Sequence, residues 1–387
     1  MSEGRKRWSH WERRAFEGPW DVLVVGAGLT GCATAFHLHQ AWPDVRIAVV
    51  DRHHPGEGAS SKNAGFVCFG SPTELLDDAR ERPVSEVVGL VRDRVRGARA
   101  LTRTLGEAAI EYSDCGGLEF FPDDGVGGVF TPFEAVADEL EAWNDRLRDV
   151  LPQPAFRIVD TPPELGPGRA IELPNEGLLN PMSALFAWYD RLRSAGIRLI
   201  TGQSVTSIQD VGGRRSVEVT SGTVWAECVA VCTNGVGGGL LRSIDAPIIR
   251  PARNQVTVHR SDRPHGLTHA VHAGQGYYYM RPLDARHVLI GGARHLDPAG
   301  ETTEAFEPSP SILDELDRRL RAWMPGQRWT QVHAHQGILG LTDGKRPAVD
   351  QVDDGIYAAV GFGGMGVALS TEAGRALAER IVQDAAG

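Results

Sequence analysis

The alternation of apolar and polar positions divides the chain into blocks of different period. Asp21–Val25, in "WDVLVV", is a continuous apolar run of the kind that is buried on both faces of a parallel sheet. Ala33, Ala35, Phe36 and Leu38 follow at helical spacing, and "RIAVVD", Arg46–Asp51, predicts a second buried strand. A charged, amphipathic stretch over Leu75–Gly106 predicts helix. Another helix is predicted from Asn180, with Asn180 as cap, Pro181 at the first helical position, Leu185, Trp188, Tyr189 and Leu192 on one face, and Gly196 closing it. Strand patterns resume in "GIRLITGQSVTSIQ" (Gly196–Gln209) and "AECVAVCTNG" (Ala226–Gly235). "GYYYMRPLDARHVLIGG" predicts a hairpin, with strands Tyr277–Arg281 and His287–Gly291 around a turn at Pro282–Arg286. Period-two alternation there sets Tyr277, Tyr279 and Arg281 on one face and Tyr278 and Met280 on the other. Near the end, glycines at 361, 363, 364 and 366 precede a helix with Leu369, Ala373, Leu377 and Ile381 on its apolar face.

A length of 387 residues implies about two or three domains. An apolar content of 42% with 23% charged residues is that of an ordinary soluble globular protein. A net charge of −10 argues against a general nucleic-acid binder, which needs a cationic face for phosphates. No apolar run reaches the ~18 residues of a membrane span, and the N-terminus lacks a secretory apolar core. Cys32, Cys68, Cys115, Cys228 and Cys232 form no C-x-x-C pair, so free thiols in a reduced, cytoplasmic protein are expected. The basic, aromatic cluster Gly4–Arg14 reads as a solvated arm or a short helix packing its Trp residues on the body.

The chemistry starts at "GAGLTG". Gly26 permits a tight turn, Gly28 admits a pyrophosphate to the backbone, and Gly31 lets the helix pack on the strand. The helix N-terminus offers free amides to phosphate. Asp51, twenty residues beyond Gly31, is placed for ribose hydroxyls, and an acid there disfavours a 2′-phosphate. FAD and NAD share this fingerprint. The long insertion between Asp51 and the resumed strands is unusual for NAD enzymes. It begins with "GEGASSKNAGFVCFGS", small residues carrying an isolated Lys62-Asn63 pair. His333 and His335 share a strand face without a third ligand at sensible spacing, so no metal is expected. No P-loop and no G-x-S-x-G elbow occur, which removes NTPase and hydrolase readings.

"GAGLTG" with Asp51, "GASSKNAGF", "GLLNPMSALFAWYDRLRSAGIRLITGQSVTSI", "VAVCTNG", "YYYMRPLDARHVLIGG", "TDGKRPAVD" and "GFGGMGVALSTEAGRALAERIV" follow one another in a familiar order. In this the chain resembles the FAD-dependent amine oxidoreductases of the D-amino-acid oxidase, glycine oxidase and sarcosine oxidase type. The resemblance implies an α/β fold: a Rossmann-type FAD domain (18–74, 176–245, 331–387) interleaved with an α+β substrate domain (75–175, 246–330) bearing a mainly antiparallel sheet, with 1–17 as an arm. It implies FAD contacts at Gly26, Gly28, Gly31, Asp51 and Arg52; at Ser60, Ser61, Lys62, Asn63, Ala64 and Gly65; and at Val205, Thr233 and Asn234. Gly361, Gly363, Gly364, Met365, Gly366 and Val367 would face the flavin ring, with the following helix N-terminus favouring its anionic reduced form.

For the substrate, Arg281 is the first candidate carboxylate clamp, with Tyr279 beside it and Arg294 as a weaker alternative. Lys62 is a candidate for flavin or substrate carboxylate, and His335 or Gln336 for facing the flavin ring or the substrate. The sequence departs from the family where Leu339 stands for its arginine and Ala368 for a lysine of some members; with no cysteine after Cys232, this implies non-covalent FAD. The implied activity is oxidation of a primary or secondary amine, with an amino acid the favoured substrate, by hydride transfer to flavin N5 to give an imine. Oxygen or a carrier would accept the electrons. The alternatives are an amino- or 2-hydroxy-acid dehydrogenase serving a quinone or carrier, and a flavin-binding protein docking a partner through Arg5–Arg14.

Overall fold

The computed structural model describes residues 8–53, 57–125, 130–236, 240 and 249–386. The buried apolar runs form the middle of an eight-stranded sheet. Its main path runs Ala348–Asp353, Ile356–Val360, Gly222–Val231, Trp20–Val25, Ile47–Asp51 and Arg198–Thr201. The pairs inward from Ile356–Val360 are parallel, the Ala348–Asp353 edge is antiparallel, and Val205–Val211 and Arg214–Val219 extend Gly222–Val231 as a meander. Strand alternation divides the central run between two cores: Val22 and Val24 face one cluster, Leu23 and Val25 the other.

Helix Leu29–Ala41 lies on the first face with the C-terminal helix Gly366–Ala386. They approach closely because position 374 is glycine: a Cβ there would lie 2.7 Å from that of Ala33. The helices Pro72–Glu81, Val84–Leu105 and Phe133–Leu147 extend the same cluster through Leu75, Val91 and Trp143.

A second eight-stranded sheet runs Trp329–Leu341, Arg250–Ser261, His287–Gly292, Tyr278–Pro282, Ala270–Ala273, Gly117–Pro122, Gly168–Leu173 and Arg157–Val159. It is antiparallel except where Ala270–Ala273 meets Gly117–Pro122. One face buries Tyr278, Met280, Val288 and Ile290 against helix Pro310–Trp323, and this alternation leaves Tyr279 on the opposite face. A boundary at residue 331 assigns the start of the C-terminal segment to the dinucleotide unit. Hydrogen bonding instead pairs Trp329–Leu341 with Arg250–Ser261 along its whole length, down to Arg250 opposite Leu341. By strand pairing, the return to the first sheet comes only at Ala348, after the turn at Thr342–Arg346; the long pair carries one bulge, where Val258 faces His333 and His259 faces Gln331.

Helix His10–Phe16 is closed by a Ser9/Glu12 capping box, and Trp8 packs edge-on to Phe16 over Gly222, while Trp11 is 72% exposed. Arg5, Lys6 and Arg7 of the arm lie outside the described residues, as does His54. Among the described residues no helix is long and apolar enough to cross a membrane, and all five cysteines are free.

Candidate active site

A cleft of about 260 Å³ opens at the C-terminal ends of Trp20–Val25 and Ile47–Asp51. Gly26, with φ of +105°, makes the turn, and Gly28 follows at the helix N-terminus, both lining the cleft. Asp51 turns its carboxylate onto that turn and accepts from the Ala27 amide at 2.8 Å and the His53 amide at 3.0 Å. Gly31 is not part of this lining; its task is packing, since a Cβ there would fall 1.8 Å from the Gly26 carbonyl. Arg52, Ser60, Val205, Thr233 and Asn234 also line this cleft.

The short helix Ala59–Lys62 hangs over the cleft. Ser60 Oγ accepts from the Leu29 amide at 2.9 Å, at the helix N-terminus where a phosphate would be received. Ser61 lines neither cavity, and its hydroxyl donates to the Gly58 carbonyl. Asn63 locks the loop: its amide donates to the Ala59 and Ser60 carbonyls and its oxygen accepts from the Gly65 amide at 2.8 Å. Across the cleft, Asn234 Oδ1 accepts from the amides of Gly361 and Phe362 at 3.2 and 3.3 Å. Gly361 is therefore a support of the turn and not part of the lining. Gly364, Gly366 and Val367 line the cleft at the start of the C-terminal helix.

Ala59, Asn63, Leu339, Gly364 and Val367 are shared with a second cavity of about 510 Å³, so the two join. Lys62, Ala64, Gly65, Gly363 and Met365 line this second space. Glycines at the approach points, a helix N-terminus at the cleft and a carboxylate at the strand end are the features that an adenine dinucleotide site requires. The residues present fit FAD.

The far wall of the second cavity is one face of the antiparallel sheet. Pairing register sets Glu119, His272, Tyr279, Gly291, Val256 and His335 side by side across the strands. Gly291 leaves room for the Tyr279 ring, which a Cβ would meet at 2.5–2.6 Å. The Tyr279 hydroxyl accepts from Asn254 at 2.8 Å, its ring meets Phe66 edge-on at 5.7 Å, and burial holds its ionisation above the ordinary phenol value. His272 also meets Phe66 edge-on, at 5.1 Å, and its Nε2 lies 2.8 Å from Glu176 Oε2. Burial alone would lower this imidazole; the Glu176 carboxylate, with Glu119 and Glu74 beyond it, carries it above its usual value.

Glu119 accepts from the Ser71 hydroxyl, the Thr73 amide and the Thr73 hydroxyl, and burial pushes its carboxyl up. Burial would also raise Glu74, but Arg94 at 3.1 Å, then Lys345, hold it below the usual range. Arg250 is paired with Asp343 at 2.7 Å. Lys62 and Arg294 line the same cavity and have no carboxylate partner among the described residues; the Arg294 guanidinium lies over the Tyr277 ring at 5.1 Å.

Beyond Gly31, Ser61 and Gly361, two residues expected on the substrate side also fall outside the lining. Arg281 shares a strand face with Tyr279 and stands near the strand's end, where its side chain is held by backbone carbonyls. Its guanidinium donates to the carbonyls of Ala64 and Leu179 at 2.7 and 2.8 Å, and burial disfavours its charge. It ties the hairpin to the Lys62 loop and does not line the cavity. His335 lines neither cavity; its ring lies 5.6 Å from that of His333, and burial, then His333 and Lys62, lower its basicity. The sequence reading missed Asn254, His272 and Glu176. Strand register brings Asn254 and His272 to the cavity, and a loop 96 residues away supplies Glu176.

The cleft, its glycine turn and the sheet facing it are the architecture of a flavin-dependent oxidoreductase. Residues 21–380 match the family described as FAD dependent oxidoreductase (DAO), and the chain belongs to that family. It is an enzyme whose cofactor is FAD. A probable oxidoreductase, OrdL, of Rhizobium meliloti is 26% identical over 93% of this chain and 82% of its own length. The gamma-glutamylputrescine oxidoreductase of Escherichia coli is 24% identical over 94% of this chain and 84% of its own. The crystal structure of iminodiacetate oxidase from Chelativorans sp. has the same fold, with a TM-score of 0.74 at 21% identity, covering 94% of this chain and 95% of that one.

Proposed function

We propose that the protein oxidises the carbon–nitrogen bond of an amino acid, a primary or secondary amine that carries a carboxylate close to the reacting carbon. The observation that carries this reading is the pair Arg294 and Lys62, cations in one cavity that pair with no carboxylate among the described residues. A buried or half-buried cation without a counter-ion favours an anionic ligand, and the planar arginine fork suits a carboxylate. The names of two similar proteins, one for gamma-glutamylputrescine and one for iminodiacetate, agree with an amine substrate.

FAD, when bound, supplies the two-electron oxidation that removes hydride from the carbon bearing nitrogen, leaving an imine that water hydrolyses. The chain supplies position and environment. Arg294 grips the carboxylate, with Tyr277 beneath its guanidinium. Phe66 and the Tyr279 ring form an apolar wall that narrows the space beside the glycine loop at Gly363–Met365, and Asn254 fixes the Tyr279 hydroxyl. Non-covalent FAD is supported by the cysteines lining the joined cavities. Burial raises the Cys68 thiol well above its usual value and that of Cys232 to about 12, so neither is a ready nucleophile.

The test is an anaerobic panel of amino acids, their decarboxylated amines and 2-hydroxy acids, followed through the flavin absorbance. Bleaching by amino acids is the expected result; bleaching by hydroxy acids alone overturns the reading. Return of the colour in air, with peroxide, assigns oxygen as acceptor, and persistence of the bleached state assigns a carrier.

A further inference from the structure

Resting on the amino-acid reading, we infer that His272, backed by Glu176, accepts the proton that the substrate ammonium must lose before its carbon can be oxidised. An amino acid arrives as an ammonium, whose nitrogen has no lone pair to support the departing C–H electron pair. A group in the cavity that takes that proton raises the reactive fraction. The sheet row offers His272 for this. Its Nε2 is held by Glu176 at 2.8 Å, while Nδ1 has no hydrogen-bond partner among the described residues and the ring lines the cavity. Tyr279 stands next to it on the neighbouring strand in direct register, so His272 shares the wall that confines the substrate.

In the step itself, one ammonium N–H bond breaks and an Nδ1–H bond forms on His272. The positive charge passes from nitrogen to imidazolium, and no electrons leave the pair. Glu176, with 2% of its side chain exposed, is the carboxylate that receives this charge at close range. The arrangement is that of a base oriented by a buried acid.

The other groups facing His272 also bear on its protonation. Glu119 lies opposite on the adjoining strand, held by Ser71 and Thr73. Glu74 approaches from helix Pro72–Glu81, with Arg94 at 3.1 Å and the Lys345 ammonium at 3.8 Å offsetting its charge. Tyr279 and Phe66 complete the surround without adding charge. Lys62, Arg82, Arg250 and Arg294 are further cations lining the same cavity, with Arg250 paired to Asp343.

Two measurements on the FAD-loaded enzyme test this. The first is the pH dependence of kcat/KM for flavin reduction by an amino acid that bleaches the wild type. In the wild type, kcat/KM levels off once His272 is neutral. In His272→Gln it falls roughly a hundredfold at neutral pH and keeps climbing to the pH at which the substrate's own ammonium ionises. In Glu176→Gln the acid limb moves to lower pH. The second is a histidine nitrogen NMR titration, where Glu176→Gln is expected to move the His272 midpoint to at least tenfold higher proton concentration. Unchanged pH profiles in both variants, even with lower rates, assign the pair a purely structural role and overturn the inference. So does an unmoved NMR midpoint in Glu176→Gln, a result that stands even if His272→Gln does not fold. Failure of every amino acid to bleach the wild type sinks the amino-acid reading instead, and the NMR titration still reads the coupling of the pair.

Discussion

The two walls of the cleft are built by opposite means. On the dinucleotide side the contacts are backbone: glycine turns, helix-start amides, and side chains such as Asn63 and Asn234 that serve to hold a loop. On the other side they are buried and half-buried polar side chains: Glu119, His272 with Glu176 and Tyr279 with Asn254 at the antiparallel sheet, and Arg94 with Glu74 on the helices Val84–Leu105 and Pro72–Glu81 beside it. On the proposed function, a cofactor common to many enzymes would be gripped through groups every residue has, while the substrate and its charge would be read by side chains. The first wall is thus sensitive to added volume, and the second to lost charge.

Adding volume gives the largest expected effect. Gly31→Val forces a Cβ into the Gly26 carbonyl, 1.8 Å away, and displaces the turn. Purified protein is expected to carry no flavin absorbance; full retention of flavin would break the contrast between the walls. Removing charge from the other wall comes next. Arg94→Met strips the buried Glu74 of its main partner and is expected to cost about 3–5 kcal/mol in urea unfolding. A loss below about 1 kcal/mol would show that the buried network is incidental.

The antiparallel sheet also carries an acid sensitivity that the parallel one lacks an equivalent for among the described residues. His259 is fully buried beside Thr257 and Asp317, and burial lowers its pKa to about 4. The unfolded chain takes up this proton below its ordinary value of 6.5, whereas the folded chain does so only near 4. Stability therefore falls as pH drops from 6.5 towards 4, by about 3 kcal/mol at the lower end for this group. His259→Gln is expected to flatten that part of the melting-temperature profile, and an unaltered acid slope would assign it to other groups.

The same division explains what was legible in the sequence. Gly26, Gly28, Gly31 and Asp51 sit at fixed spacing because one strand–turn–helix unit holds them, so a linear pattern suffices. The α/β class, the antiparallel second sheet and the Tyr277–Gly291 hairpin were readable for the same reason, since period and turn chemistry are local. The substrate wall was not. His272 and Tyr279 meet only through cross-strand register, and Glu176 reaches them from a separate loop. Arg281 misled because alternation fixes a face but not how far along the strand a side chain reaches, or what carbonyls it finds there. The strand Trp329–Leu341 was divided at 331 because motif order says nothing about pairing.

The claim at the centre of this account is that a free arginine in the cavity selects a carboxylate-bearing amine. The direct measurement is kcat/KM for anaerobic flavin bleaching by an amino acid and by its decarboxylated amine, in the wild type and in Arg294→Met. The wild type is expected to favour the acid. Loss of a charge-assisted contact of about 1.5–3 kcal/mol should then reduce that preference by roughly tenfold to a hundredfold in the variant, with flavin still bound. A wild type that prefers the decarboxylated amine, or an Arg294→Met enzyme with the preference intact, would contradict the account.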